Sequence, residues 1–264
     1  MIPERRWLVR KNSFVAQKHS VTEQQSQLRV ALVTGAGRGI GRAVALALAQ
    51  SGYALCLAAR THEQLTETRA LSGLEPRSSL IVLVDLAEPE GPENLIEASM
   101  DHFGRLDVLI NNAGFAPART PLAKISRDDQ DRMVSLNLRA PIALARMAAA
   151  QMARQPEGGI IVNIASSSAR GSRAGEAIYV ATKAGLVAFT RSCAAELRRN
   201  GVRTSVILPG LTDTAFIPSN KRLERTAMLQ PEDIATAVMT VVNAPQHVCP
   251  IEIELEPARD PMRS

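Results

Sequence analysis

Short apolar runs alternate with longer helical patterns along the chain from Leu28 onward, and this alternation restricts the fold more than any other feature. A short apolar run bounded by turn residues is typical of a buried strand, and a longer alanine- and leucine-rich stretch is typical of a helix. The sequence predicts strands over 28–34, 53–59, 80–84, 106–110, 159–165, 203–208 and 251–255. It predicts helices over 40–51, 63–71, 92–103, about 127–153, 177–199 and 231–242.

Strands joined by helices run parallel, because a helical crossover returns the chain to the same end of the sheet. We therefore predict an α/β fold, a doubly wound parallel sheet with helices on both faces, as a single domain over residues 28–257. Residues 1–27 form a basic leader that we expect to be disordered, and residues 258–264 form a C-terminal tail. The stretch between Thr214 and Pro231 has no regular pattern and is a candidate lid.

The charge and composition argue against several kinds of protein. Most of the net charge of +5 lies in the first 30 residues, where six basic side chains accompany two acidic ones, so the body of the chain is almost neutral. A neutral body with only 3% aromatic residues is not typical of a nucleic-acid-binding protein. No apolar run approaches the ~18 residues that a membrane helix needs.

The cysteines and the leader bear on the location of the protein. Cys56, Cys193 and Cys249 are far apart and odd in number, which argues against a disulfide framework or a structural zinc site. We therefore expect a reducing compartment and a cytoplasmic protein. The leader is rich in Arg and poor in acidic residues, so import into an organelle remains an alternative. The four histidines lack the spacing of a metal site, and no metal is predicted.

A glycine-rich loop, residues 34–41, follows the first predicted strand. Gly35 and Gly39 would let the backbone approach a pyrophosphate, and the helix that begins near Ile40 would favour its negative charge. The spacing is Gly-x-x-x-Gly-x-Gly, ending at Gly41, and it departs from the strict Gly-x-Gly-x-x-Gly dinucleotide pattern. Taken alone, the loop fits either a dinucleotide site or a tight turn without a ligand.

The residues after the second predicted strand indicate which dinucleotide would bind. A site for NAD usually carries an acidic residue there to hold the ribose 2′-hydroxyl, whereas this chain has Ala58-Ala59-Arg60. Arg60, together with Arg38 of the glycine-rich loop, could hold a 2′-phosphate through charge-assisted hydrogen bonds. We therefore expect NADP(H) in preference to NAD(H). Asp85, after the third strand, would either hold the adenine amino group or cap a helix.

Tyr179 and Lys183 are four residues apart in a predicted helix, so they share one face of it. An ammonium group near a phenol favours the phenolate, which would lower the pKa of Tyr179 from its usual value of about 10 and allow proton transfer near neutral pH. Alone, the pair would fit a tyrosine packed against the sheet and an exposed lysine. Together with the glycine-rich loop, it indicates nicotinamide-dependent carbonyl chemistry.

These motifs resemble those of the short-chain dehydrogenase/reductase family over roughly residues 28–257. The glycine-rich loop is similar to its Thr-Gly-x-x-x-Gly-x-Gly, residues 111–114 to its Asn-Asn-Ala-Gly, and residues 179–183 to its Tyr-x-x-x-Lys. The resemblance implies a single-domain Rossmann fold in which Ser166 orients the carbonyl, Asn137 holds a water in a proton relay, and Tyr179 and Lys183 complete the catalytic set. The motifs and the resemblance together predict a cofactor site of Gly35, Arg38, Gly39, Ile40, Gly41, Arg60, Asp85, Leu86, Asn112, Ala113, Gly114, Tyr179, Lys183, Pro209, Gly210 and Thr214.

The expected activity is the NADP(H)-dependent interconversion of a carbonyl and a secondary alcohol, by hydride transfer with Tyr179 as general acid and base. The end of the chain resembles reductases that oxidise small 3-hydroxy acids, so a small 3-hydroxy or 3-oxo acid is the expected substrate. A 3-oxoacyl carrier-protein reductase is the alternative. An NADP(H)-binding sensor or scaffold without turnover is an alternative of another class, which would be signalled by a damaged Tyr, Lys or Ser.

Basic side chains in two loops make an anionic substrate one expectation, and basic surface loops without a ligand are the equally open alternative. They are Lys221, Arg222 and Arg225 in the candidate lid, and Arg170 and Arg173 just before the tyrosine. The resemblance also implies assembly as a homotetramer or homodimer through the two long helices. No nucleic acid or membrane partner is expected.

Overall fold

The computed structural model describes residues 28–217 and 222–262, and its named strands form one seven-stranded sheet. They are β1 (Val30–Thr34), β2 (Ala54–Ala59), β3 (Ser79–Leu83), β4 (Val108–Asn111), β5 (Gly159–Ile164), β6 (Val202–Pro209) and β7 (Glu252–Leu255). All neighbouring strands are parallel, in the order β3-β2-β1-β4-β5-β6-β7. The predicted α/β class with a doubly wound parallel sheet is confirmed.

Helices connect the strands and cover both faces of the sheet. They are α1 (Gly39–Gln50), α2 (His62–Ser72), α3 (Gly91–Phe103), α4 (Arg127–Val134), α5 (Ala140–Met152), α6 (Ala177–Leu197) and α7 (Pro231–Val242). None of the helices in the described part of the chain is long and apolar enough to cross a membrane.

The alternation of side chains along the strands explains the two layers of helices. In β1, Ala31 and Val33 pack in the core on the side of α1, α2 and α7, whereas Leu32 packs in the core on the side of α3 and α5. The residues on both faces of β1 are apolar, because a parallel sheet covered by helices on both faces has no side that contacts water. Helix α6 packs on the second side, against Val206 and Leu208 of β6.

The predicted helix over 127–153 is interrupted, and this is the main correction to the predicted elements. Residues Ser135–Arg139 form a π-helical turn, which divides α4 from α5, and Ala140 N bonds to Ser135 O. Pro141 gives the physical reason, because proline has no N–H to bond the carbonyl of Asn137 and its ring clashes with that carbonyl in a regular helix. A wider turn accommodates the proline and changes the direction in which Asn137 points.

Strands β1, β2, β4 and β7 begin one or two residues later than predicted, and in β2 and β4 the first predicted residue bonds elsewhere. Tyr53 N donates to Leu48 O at 3.1 Å, so Tyr53 closes α1 instead of joining β2. Leu106 N donates to Gln155 Oε1 at 3.0 Å, outside the strand ladder, and β4 starts only at Val108. These are shifts of one or two residues and leave the topology unchanged.

Strands β1 and β4 lie side by side at the centre of the sheet, and the chain leads away from them in opposite directions. From β1 it continues to β2 on one side, and from β4 it continues to β5 on the other. Such a switch point leaves a crevice beyond the carboxyl ends of the strands, which is where ligands of open α/β sheets bind.

Candidate active site

A large cleft opens at the carboxyl ends of the strands, and its volume is about 1670 Å³. Pockets for one small ligand are usually about 300–1,000 Å³, so this cleft has room for a dinucleotide together with a substrate. Of the residues that the sequence predicts for the site, all but Gly41 and Asn137 line it. The predicted catalytic and cofactor residues therefore lie around one space.

The glycine-rich loop has the backbone geometry that a phosphate requires. Gly35 and Gly39 have φ angles of +66° and +54°, a region that other residues rarely adopt. Helix α1 begins at Gly39 with no side-chain cap from Arg38 and no acidic residue in its first turn. Its first backbone N–H groups lack intrahelical partners and lie at the positive end of the helix dipole, which suits an anionic group.

Gly41 has a packing role in the structure. A Cβ at this position would lie 2.2 Å from the carbonyl oxygen of Gly35 and 2.5 Å from Asn112 Nδ2. Only glycine therefore lets α1 pack this closely on the loop. Gly41 does not line the cleft itself. It would contribute to the predicted cofactor site only indirectly, by fixing the position of α1.

Thr34 and Asn112 fasten the ends of β1 and β4 to each other. Thr34 Oγ1 accepts hydrogen bonds from Asn112 N at 2.9 Å and Ala113 N at 3.0 Å, and it donates to Ile110 O at 3.1 Å. The Asn112 side chain donates in return to Thr34 O at 2.9 Å. Thr34 is 1% exposed, so water does not compete with these bonds. This network holds the floor of the cleft at the switch point.

The two arginines predicted to bind a 2′-phosphate both line the cleft, and Arg60 has an acidic neighbour. Arg60 Nη1 lies 3.6 Å from Asp85 Oδ2, and Arg132 Nη2 of α4 lies 3.0 Å from the same oxygen. The other oxygen of Asp85 accepts Ala87 N at 3.0 Å. The Asp85 carboxylate, which is predicted to hold adenine or cap a helix, therefore contacts two guanidinium groups and accepts a hydrogen bond from the backbone of the next turn.

Ser166 and Tyr179 meet at the centre of the cleft. Ser166 follows β5 and starts a short 3₁₀ turn, where its Oγ accepts a hydrogen bond from Ser168 N at 3.2 Å. Tyr179 lies in the first turn of α6, and its side chain lines the same cleft as Ser166. Burial raises the pKa of Tyr179 above its ordinary value, and the nearby Ser166 hydroxyl opposes that rise.

Lys183 lies one turn further along α6 and is only 4% exposed. Its Nζ donates to Ile164 O at 2.9 Å and lies 5.9 Å from the centre of the Tyr179 ring. Burial lowers the pKa of Lys183 to about 8. The lowering of the tyrosine pKa expected from this amine is not found, because burial disfavours the charged forms of both groups.

Asn137 lies in the π-helical turn and is fully buried. Its Oδ1 accepts from Phe115 N at 2.8 Å, and its Nδ2 donates to Phe115 O at 2.7 Å. A Cβ at Gly114 would lie 3.4 Å from Asn137 Oδ1 and 3.7 Å from Lys183 Nζ, so the three residues are neighbours. Asn137 therefore holds the backbone between Gly114 and Ala116, which line the cleft, and the water relay expected from the resemblance stays a prediction.

We call the part of the cleft lined by the glycine-rich loop the cofactor half, and the part beyond Tyr179 the substrate half. Loops build the substrate half. Arg119 Nε donates to Glu176 Oε1 at 2.6 Å, and Thr120 N donates to Gly175 O at 3.1 Å, so two loops are joined across the opening. The Phe216 ring lies 6.3 Å from the Tyr179 ring, measured between centres. These contacts form the space next to the catalytic residues where a substrate would lie.

The predicted basic residues differ in their availability to a substrate. Arg170 pairs with Glu252 and Glu254 of β7, and Arg225 pairs with Asp213, so both charges are already balanced. Arg222 and Arg173 line the cleft, whereas Lys221 lies outside the described residues.

Arg173 stands out among these arginines. It is exposed and makes no ion pair with any residue in 28–217 or 222–262. Its positive charge is close enough to act on the Tyr179 hydroxyl, whose pKa it lowers against the larger effect of burial. A guanidinium in this position can bind an anionic group on a molecule placed beside Tyr179.

Two residues of the C-terminal tail also line the cleft, although they are not among the residues predicted for the site. They are Asp260 and Met262. The tail reaches the site because Glu224 N donates to Pro261 O at 2.8 Å, which joins it to the candidate lid. No motif marks these residues, since the contact forms only when distant parts of the chain meet.

Comparisons with known proteins agree with this geometry. The family model described as short chain dehydrogenase matches residues 29–224. An uncharacterized oxidoreductase of Staphylococcus aureus strain USA300 is 35% identical over 229 residues, covering 87% of this chain and 97% of that protein.

Solved structures give the same picture. An alcohol dehydrogenase from the archaeon Thermococcus sibiricus, complexed with 5-hydroxy-NADP, matches with a TM-score of 0.78 and 29% identity over 88% of this chain and 97% of that one. The closed form of a serine dehydrogenase complexed with NADP⁺ matches with a TM-score of 0.78 and 28% identity over 86% and 94% of the two chains. Because the family model covers most of the chain and an oxidoreductase aligns along nearly its full length, this protein belongs to the short-chain dehydrogenase family of oxidoreductases.

Proposed function

We propose that the protein is an NADP(H)-dependent oxidoreductase that interconverts a carbonyl and a secondary alcohol, with Tyr179 as general acid and base. The observation that carries the proposal is that Ser166 and Tyr179 line one cleft, with the buried amine of Lys183 5.9 Å from the centre of the Tyr179 ring. Such a group of donors can bind a carbonyl oxygen and protonate it. The glycine-rich loop lines the same cleft, so a hydride donor would have a place next to it.

The residues around the glycine-rich loop fit a dinucleotide with a 2′-phosphate. The uncapped start of α1 would hold the pyrophosphate, and Arg38 and Arg60 would hold the 2′-phosphate. Similar structures that contain NADP⁺ or 5-hydroxy-NADP support this choice. When bound, the nicotinamide would donate or accept the hydride. NAD(H) is less favoured, since no carboxylate directly follows β2.

Each catalytic side chain would have a distinct task in carbonyl reduction. Ser166 would donate a hydrogen bond to the carbonyl oxygen and orient it. Tyr179, whose pKa is raised by burial, keeps its proton at neutral pH and would give it to that oxygen. Lys183, held by Ile164 O, would stabilise the phenolate that remains. Alcohol oxidation would use the same groups in reverse.

A small 3-hydroxy or 3-oxo acid is the substrate class that we propose. Arg173 supports it, because this arginine can pair with a carboxylate while the carbonyl lies at Tyr179. The similarity to a serine dehydrogenase supports it further, since serine is itself a 3-hydroxy acid. The alternative, a 3-oxoacyl carrier-protein reductase, would use the same catalytic group on a longer thioester.

We also propose that the protein is cytoplasmic and forms a homodimer or homotetramer. The family resemblance supports the assembly, because it implies association through the helices α4, α5 and α6. A monomeric mass by light scattering would contradict it.

The test of the proposed function is NADPH consumption by the purified full chain with a panel of carbonyl compounds. The panel contains small 3-oxo acids, their neutral esters, 3-oxoacyl thioesters and simple ketones, each assayed with NADPH and with NADH. We expect NADPH consumption to be fastest with the small 3-oxo acids. Faster turnover of thioesters would favour the carrier-protein alternative. Tight NADPH binding without turnover of any compound would favour the binding-only alternative and contradict the proposal.

A further inference from the structure

Residues 258–262, at the end of the described chain, line the cleft through Asp260 and Met262, and we call this segment the C-terminal strap. Pro261 is buried, and its carbonyl oxygen accepts a hydrogen bond from Glu224 N at 2.8 Å. Beside this bond, Met262 forms an antiparallel bridge with Leu223. The strap is therefore fastened to residues of the candidate lid.

The segment under the strap is itself anchored near the cofactor half. Leu229 forms a parallel bridge with Thr212, and Asp213 N donates to Leu229 O at 2.7 Å. Arg225 pairs with Asp213 and donates to Ile217 O at 3.0 Å. The strap thus rests on a segment that is fixed in place by several contacts.

Two side chains of the strap face the same cleft as Tyr179. Asp260 fixes the turn of the strap, because its Oδ1 accepts a hydrogen bond from Met262 N at 2.9 Å. Met262 is 44% exposed and Phe216, which also lines the cleft, is 43% exposed. Apolar side chains that remain exposed within a cleft provide surface that a ligand can cover.

We propose that the C-terminal strap determines substrate specificity, with Met262 and Phe216 contacting the carbon chain of the substrate and limiting its length. This inference rests on the proposed function, since it concerns the substrate of the same site. A wall fastened at Pro261 favours short substrates, because a longer chain must displace the strap or leave the cleft. It therefore favours a small 3-oxo acid over a long acyl thioester.

The test measures binding and does not depend on turnover. We would titrate straight-chain 3-hydroxy acids of increasing length into the full chain saturated with NADPH, where an alcohol and the reduced cofactor form a dead-end complex. We expect the wild-type protein to bind short acids more tightly than long ones. In Met262→Ala, the preference should fall by about tenfold, the scale of discrimination that a hydrophobic pocket exerts through one or two methylene groups.

A second variant and a matched control complete the test. A chain ended after Arg259 removes Pro261 and Met262 together and should lose at least as much of the preference as Met262→Ala. Arg259→Ala changes an exposed residue of the strap that is not among those lining the cleft, and it should keep the wild-type preference. NADPH affinity should be unchanged in every variant, which also shows that each one is folded.

The outcomes separate this inference from the proposed function. An unchanged length preference in Met262→Ala would overturn the role of the strap, and so would a wild-type protein that binds none of the acids. In a third outcome, the wild-type protein prefers short acids and Met262→Ala loses this preference, but the protein consumes no NADPH with any carbonyl compound. This outcome would contradict the proposed function and still support the strap as the part that selects substrate length.

Discussion

The cofactor half and the substrate half of the cleft are held by different forces. In the cofactor half, the buried Thr34 hydroxyl makes hydrogen bonds at 2.9, 3.0 and 3.1 Å that join the ends of two central strands. In the substrate half, loops are joined by contacts such as Arg119 to Glu176, in which the arginine side chain is 64% exposed. Buried hydrogen bonds resist water and exposed ion pairs contribute little, so the second half is easier to remodel.

This difference suggests a division of labour. The half that we propose to bind the cofactor and move the proton is built from strand ends and from the first turns of α1 and α6. The half that we propose to contact the rest of the substrate is built from loops and the C-terminal strap, which can change without disturbing the sheet. Substitutions should therefore affect catalysis in one half and selectivity in the other.

Among the variants that compare the two halves, Ser166→Ala should have the largest effect. Loss of the donor that orients the carbonyl should lower kcat by about 10²–10³-fold, as for other side chains that stabilise a developing oxyanion. Steady-state kinetics with NADPH and the best carbonyl substrate would measure it. Ser168→Ala is the control, because Ser168 also lines the cleft and its kcat should stay close to wild type. Equal losses in both variants would contradict the assignment of Ser166.

Arg60→Ala tests the cofactor half. Removing a charge-assisted hydrogen bond of about 1.5–3 kcal/mol should lower kcat/KM for NADPH by roughly 10- to 100-fold. The same variant should use NADH as well as the wild type does, because NADH has no 2′-phosphate. Parallel kinetics with the two cofactors would measure the change. An equal loss with NADH would mean that Arg60 acts on something other than the phosphate.

Stability should show the contrast between the halves directly. Thr34→Val keeps the shape of the side chain but leaves the buried N–H groups of Asn112 and Ala113 without an acceptor, which should cost about 1–3 kcal/mol in the free energy of unfolding. Arg119→Gln breaks an exposed ion pair and should cost less than about 1 kcal/mol. Denaturant unfolding of both variants would measure the two costs. A larger loss for Arg119→Gln would reverse the comparison.

Arg173→Gln tests the substrate half. If Arg173 pairs with a carboxylate, the variant should raise KM for a 3-oxo acid by about tenfold, corresponding to roughly 1.4 kcal/mol. The methyl ester of the same acid is the control, and its KM should be unchanged because it carries no charge. Kinetics with the acid and with its methyl ester would show whether Arg173 acts on the carboxylate. A similar change for both compounds would indicate a change in the shape of the cleft.

The sequence predicts the cofactor half well because its signals are local. Residues 34–41 form a continuous pattern, and Tyr179 and Lys183 are one helical turn apart. The alternation of strands and helices then brings these separate patterns to one edge of the sheet without any knowledge of side-chain contacts. The topology and the lining of the cleft by these residues follow from that alternation.

Other features depend on contacts between distant residues. The bridge between Met262 and Leu223 involves no recognisable motif, so the sequence predicts only a tail there. The raised pKa of Tyr179 depends on burial, which a spacing between two residues does not determine. The π-helical turn is an intermediate case, because Pro141 within a helical pattern already indicates a disturbed turn near Asn137.

The central claim is that Tyr179 gives its proton to a carbonyl oxygen while NADPH is consumed. The most direct test compares wild-type protein with Tyr179→Phe, measuring NADPH affinity and NADPH consumption in the same samples with the best substrate of the carbonyl panel. We predict unchanged NADPH affinity and a loss of turnover of about 10²–10⁴-fold, since phenylalanine fills the same space without a proton to donate. Turnover by Tyr179→Phe at the wild-type rate would contradict the claim.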